Sequence, residues 1–119
     1  MSQNFQPGDF LVFQLEAGFA LLRLLAVDEA GGDKTWHIAA YGDFFLDVES
    51  AEAELADPQG LSVNAAHLAL TNRAFESTQV AKIASIPLTP QETAKLNDWR
   101  DDPDREVSDR SVRLLLGMR

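Results

Sequence analysis

Phe10-Leu-Val-Phe-Gln-Leu15, followed by Glu16-Ala-Gly18 and then Phe19-Ala-Leu-Leu-Arg-Leu-Leu-Ala-Val27, decides the fold of this chain. Successive side chains of a strand point to opposite faces, so Leu11, Phe13 and Leu15 share one face while Phe10, Val12 and Gln14 share the other. Both faces are largely apolar, which predicts a strand covered on two sides. A loop as short as Glu16-Ala17-Gly18 imposes an immediate reversal, so residues 19–27 are read as the antiparallel partner in a hairpin. A helix competes for this second run, because Leu21, Leu22, Leu24 and Leu25 are strong helix formers. The tight loop decides for strand. Arg23 is the one charge inside it.

Upstream, Pro7-Gly8-Asp9 reads as a turn entering the first strand. Downstream, residues 28–34, with Gly31-Gly32 at their centre, read as a second hairpin loop. Residues 35–41 then form a third strand, with Trp36, Ile38 and Ala40 on one face and His37, Ala39 and Tyr41 on the other. Gly42-Asp43 ends that strand or marks a bulge before Phe44-Phe45-Leu46. Residues 47–56 have helical composition with carboxylates in the first turn, and Asp57-Pro58-Gln59-Gly60 stops them. Residues 67–71 and 80–86 read as strands, separated by the polar stretch 72–79. Thr89-Pro90-Gln91-Glu92 is a capping box with proline at the first helical position, predicting a helix to about Arg100 that buries Leu96 and Trp99. Ser108 is the expected cap of a final helix through Leu116, with a last strand over 112–116 as the alternative. The expectation is one α+β domain over residues 1–119: an antiparallel β-meander or small curled barrel with two or three short helices.

Charge is unevenly distributed along this framework. Through Val80 there are twelve acids and three bases, which account for the whole net charge of −9, and the seven acids and seven bases that follow cancel. Phosphates are repelled by such a surface, so neither nucleic acid nor an anionic membrane is an expected partner. A basic protein is the expected one. No apolar run approaches the length of a membrane span, and residues 1–4 lack the features of a secretory leader. The chain holds no cysteine, which removes disulfides and thiolate chemistry and fits a cytoplasmic protein.

No motif of an enzyme stands out. Gly31-Gly32 lacks a following GK[ST], there is no GxSxG elbow, and neither His37 nor His67 lies in an HxH or HExxH pattern. Both histidines are read as residues at the edge of the core, and no metal or cofactor is expected. Among carboxylate pairs, Asp43 and Asp47 are singled out because they bracket Phe44-Phe45. Together with Trp36 and Tyr41 they form the expected binding set, an aromatic and acidic recognition surface. The leading expectation is therefore a non-enzymatic protein-binding module. Its alternatives are a small ligand-binding or hydrolase-like domain using His37 or His67 with nearby carboxylates, and a homodimeric structural subunit.

Pro7-Gly8-Asp9-Phe10, an apolar strand, a glycine loop and then Phe19-Ala-Leu-Leu-Arg-Leu-Leu25 resemble the opening of a family of bacterial polymorphic-toxin immunity proteins. Members of that family begin with a Gly-Asp-led apolar strand, a glycine turn and a second strand carrying an arginine. The resemblance implies a role in neutralising or regulating a partner and assigns no site residue.

Overall fold

Alternation along three long strands sorts the apolar residues onto two faces of one sheet. The computed structural model describes residues 4–117. Strands β1 (Asp9–Leu15), β2 (Gly18–Ala30) and β3 (Asp33–Phe45) run antiparallel in succession. β4 (Val63–Thr71) adds to β3, and β5 (Ala81–Ser85) lies beside β1, giving the order β4-β3-β2-β1-β5. The meander is present, and the sheet is open: β4 and β5 are its two edges, so it does not curl into a barrel.

One face collects Leu11, Phe13, Leu22, Leu24, Trp36, Ile38 and Leu70. It is covered by α2 (Asn72–Glu76), through Ala74 and Phe75, and by α4 (Val112–Leu116), through Val112. The other face carries Phe10, Val12, Leu21, Tyr41 and Phe45 beneath Ala51 of α1 (Val48–Glu54) and the following Leu55 and Leu61. On that same side Leu25 and Ala39 pack against Leu96 of α3 (Pro90–Asp101). Burial of both faces explains why β1 and β2 read as continuous apolar runs. Among the described residues no helix is long and apolar enough to cross a membrane.

Several expectations need correction. The loop at 28–34 shrinks to a two-residue turn, because Ala30 pairs with Asp33. Gly31 and Gly32 supply the positive φ values (60° and 87°) that such a reversal requires. Of the two readings at Gly42-Asp43 the bulge is the one that forms: β3 continues to Phe45, and its pairing with β2 shifts register between Ala40 and Phe44. The polar stretch 72–79 hides the short helix α2, whose capping Thr71 accepts a hydrogen bond from the Ala74 amide. Among the described residues there are four α-helices, against the expected two or three, and one 3₁₀ turn at Pro58–Gly60. The last helix is capped by Ser111; Ser108 instead makes a parallel bridge to Leu70 on β4.

The capping box of α3 is as expected, and Glu92 serves it twice. Its Oε1 accepts from the Thr89 amide at 2.9 Å, while its Oε2 accepts from Nε of Arg23 at 2.8 Å. Arg23 is only 2% exposed. Its guanidinium also donates to the carbonyls of Gly8 and Pro87 and lies 4.2 Å from the Phe10 ring centroid. Burial raises the Glu92 carboxyl's pKa, but hydrogen bonds from Arg23 and the Thr89 amide outweigh it and hold the group below its ordinary value.

Removing one partner of a buried pair leaves an uncompensated charge, which costs about 3–5 kcal/mol, whereas losing an N-cap costs about 1 kcal/mol. Urea melts should therefore rank Glu92→Ala well below Thr89→Ala in stability, with both below the parent. Equal midpoints for the two variants would show that Glu92 acts only as a cap.

Candidate functional site

Two places on the surface combine chemistry with geometry. The first is the corner where β3 turns into α1. Asp47 is the N-cap of α1, its Oδ1 accepting from the Ser50 amide at 2.7 Å, and hydrogen bonding from Ser50 lowers its carboxyl pKa. Asp43 accepts from the Ser62 amide at 2.8 Å. Between these anchored carboxylates Phe44 is 47% and Leu46 81% exposed. The Phe44 ring lies over the backbone of Gly18, where a Cβ would come within 2.6 Å of its Cε2. Glu16, in the β1–β2 turn at the same end of the sheet, and Glu49, Glu52 and Glu54 of α1 are all exposed. The corner is an apolar knob in an acidic setting.

Of the four residues expected to form one binding surface, only Asp43 and Asp47 remain together. Trp36 turns to the opposite face of the sheet, stacked on Phe75 at 4.0 Å with its indole N–H donating to Asn72. Tyr41 is buried on the α1 side, stacked on Phe10. Their parity along β3 separates them, because positions an odd number of steps apart on a strand point to opposite faces.

The second place was not legible as a unit. Asp28 on β2, His37 on β3, His67 on β4 and Arg100 on α3 form one hydrogen-bonded chain. His37 Nδ1 and His67 Nε2 are 2.9 Å apart, His37 Nε2 lies 3.0 Å from Asp28 Oδ2, and Arg100 donates to Asp28 Oδ1 at 2.7 Å. Trp99 packs edge-on to His37 and tilted against His67. A carboxylate only accepts, so His37 donates from Nε2 and accepts at Nδ1 from His67 Nε2–H. The Nδ1 of His67 is thereby left as the unprotonated nitrogen, without a protein partner among the described residues. Lys95, Asp98 and Asp102 of α3 and its end line one cleft at His67, and Glu106, Asp109 and Arg110 line another.

Burial is the main force on these rings. It lowers the pKa of His37 despite the opposing Asp28, and with the positive charges of His37 and Arg100 it takes His67 down to about 4. For Asp28 burial acts upward, but the hydrogen bonds from Arg100 and His37 prevail and the pKa falls. The chain can pass or hold a proton. Among the described residues no hydroxyl is hydrogen-bonded to His67, so the nucleophile–base contact of a Ser-His-Asp set is not formed. No three His, Cys, Asp or Glu side chains among them are grouped to hold a metal ion.

An unfolded histidine takes up its proton near 6.5, whereas His67 in the fold resists until about 4. The unfolded chain binds more protons between those values, so stability is full above about pH 7 and falls as pH drops through 6.5 toward 4. Because the His67 ring is partly exposed, the loss between about pH 7 and pH 5 should be on the order of 1 kcal/mol. Urea melts across this range check it, and His67→Gln should flatten the dependence. In the folded protein the indole N–H signal of Trp99 should move with the His67 midpoint of about 4, while that of Trp36, on the far face, stays still. An unchanged Trp99 signal in the acid range would contradict the assignment.

Compared with protein-family models, curated proteins and solved structures, the chain matches none.

Proposed function

We propose that the chain is a non-enzymatic binding module that captures a basic protein partner at the β3–α1 corner, in the manner of an immunity or regulatory protein. The observation that carries this reading is the exposure of Phe44 and Leu46 between the anchored carboxylates of Asp43 and Asp47. Exposed large apolar side chains gain roughly 1.5–3 kcal/mol each when a partner removes them from water, and such anchors dominate binding when a rim excludes solvent. The surrounding acids steer a basic partner toward them and oppose acidic ones. The resemblance of residues 7–25 to toxin-immunity proteins points the same way. A second reading, acid–base or ligand chemistry at His67, rests on the convergence of His37, His67 and Asp28.

Association kinetics with a partner purified on the parent protein separate the contributions. Asp47→Asn keeps a competent N-cap while removing charge, so with Glu49→Lys it should slow association, most at low salt. Leu46→Ala should act on dissociation, speeding it about tenfold, the equivalent of about 1.4 kcal/mol. Reversing Asp101 and Asp102 should leave both rates near the parent values. An acidic partner, or an on-rate indifferent to salt, defeats the reading.

A further inference from the structure

A cleft of about 470 Å³ opens between the start of α3, the Pro58–Gly60 turn and β4. Its size is within the range of small-molecule sites. A second hollow of about 200 Å³ shares Tyr41, Val63, Gln91 and Glu92 with it. Neither lies at the acidic corner or at His67.

Three observations distinguish this cleft from an ordinary surface dent. Arg23 and Glu92 both line it, yet their charges are already matched to each other and to the Gly8 and Pro87 carbonyls and the Thr89 amide. They therefore make a rigid wall with little demand for an ionic ligand. Tyr41 lines both hollows and is only 6% exposed, but its hydroxyl makes no hydrogen bond to any described residue. Among the described residues the fully buried side-chain oxygens without a partner are Asp9 Oδ1 and Thr78 Oγ1, so the Tyr41 hydroxyl, with its ring buried, opens into the hollow and is free to donate there. The rim holds the side-chain amides of Gln59 and Gln91, each able to donate and accept, and Val63, 58% exposed.

Burial, reinforced by the Glu92 carboxylate and opposed by Arg23, raises the Tyr41 pKa to about 12, so the hydroxyl keeps its proton and can donate at neutral pH.

We infer that this cleft binds a small uncharged molecule with an apolar body and a carbonyl or amide, which accepts from the Tyr41 hydroxyl and pairs with Gln59 or Gln91. The apolar part lies against Phe10, Leu61 and Ile86. The inference stands apart from the reading of the acidic corner, since it involves none of the residues there.

Benzamide, benzoate and benzamidine are near-isosteres that are neutral, anionic and cationic, and they test the site on the full chain by amide chemical shifts. A fragment of this size binds in roughly the millimolar range. Benzamide should move the signals of Tyr41, Val63, Gln59 and Gln91 and bind at least severalfold tighter than either charged isostere. Tyr41→Phe, which keeps the ring packed on Phe10, should weaken benzamide about fivefold. Val63→Arg changes only an exposed rim position and should close the cleft while leaving distant signals unchanged. Tighter binding of benzoate or benzamidine would show that the Arg23–Glu92 pair recognises charge and would overturn the inference. So would shifts confined to other surfaces, no shifts at saturating benzamide, or equal affinity of Tyr41→Phe and the parent.

Discussion

Arg23 is the constraint on which the remaining structure depends. A guanidinium on the inner face of a central strand would be costly to desolvate alone, and four groups from two stretches of chain, 8–10 and 87–92, meet around it. Glu92 approaches from α3, the Pro87 carbonyl from the segment before it, the Gly8 carbonyl from the entry to β1, and the Phe10 ring lies alongside. A buried ion pair gains little net stability over a well-packed apolar cluster, but removing one of its partners leaves an uncompensated charge, which penalises any arrangement that parts Arg23 from Glu92. Here the pair ties the start of α3 to β2, and Leu96 packed on Leu25 and Ala39 holds the same helix one turn further on. Both functional regions near α3 inherit this placement. The Tyr41 cleft is walled by the pair itself, and the C-terminal end of the same helix brings Trp99 and Arg100 over His67, His37 and Asp28.

What the sequence disclosed followed the range of the interactions involved. The first hairpin and the α3 capping box depend on neighbours a few residues apart, and both were legible from glycine spacing and from Thr89 and Glu92. The two-residue turn at Gly31-Gly32 was missed in favour of a longer loop, because polar Asp28, Glu29 and Asp33 look like loop residues until strand pairing enlists them. Likewise α2 was masked by its polar neighbours, although Ala74 and Phe75 supply a buried face. The choice between barrel and open sheet depends on whether β4 and β5 meet, a long-range fact that local patterns do not contain.

The site divides along the same line. Trp36 and Tyr41 had been placed on opposite faces by their parity, and the structure keeps them apart; treating them as one surface ignored that signal. The histidine chain was illegible for a different reason. It needs the β3–β4 register, in which His37 stands opposite Ala69, and it needs the C-terminal end of α3 to lie over the sheet so that Trp99 and Arg100 reach the histidines and Asp28. Neither can be read from two histidines thirty residues apart. The one available hint was that His37, His67 and Trp99 each fall in a segment expected to face the core.

The approach of Phe44 to the Gly18 backbone has an entropic consequence. A side chain at position 18 would occupy the space the Phe44 ring now fills, so glycine there lets the ring rest against the sheet while a large part stays in water. A ring already held in one orientation surrenders little rotamer freedom on contact with another molecule. Leu46, at 81% exposure, has no comparable support and must be ordered at the moment of contact. The two exposed residues at this corner are therefore unequal: one is a preformed template, and the other adapts to whatever the template has engaged.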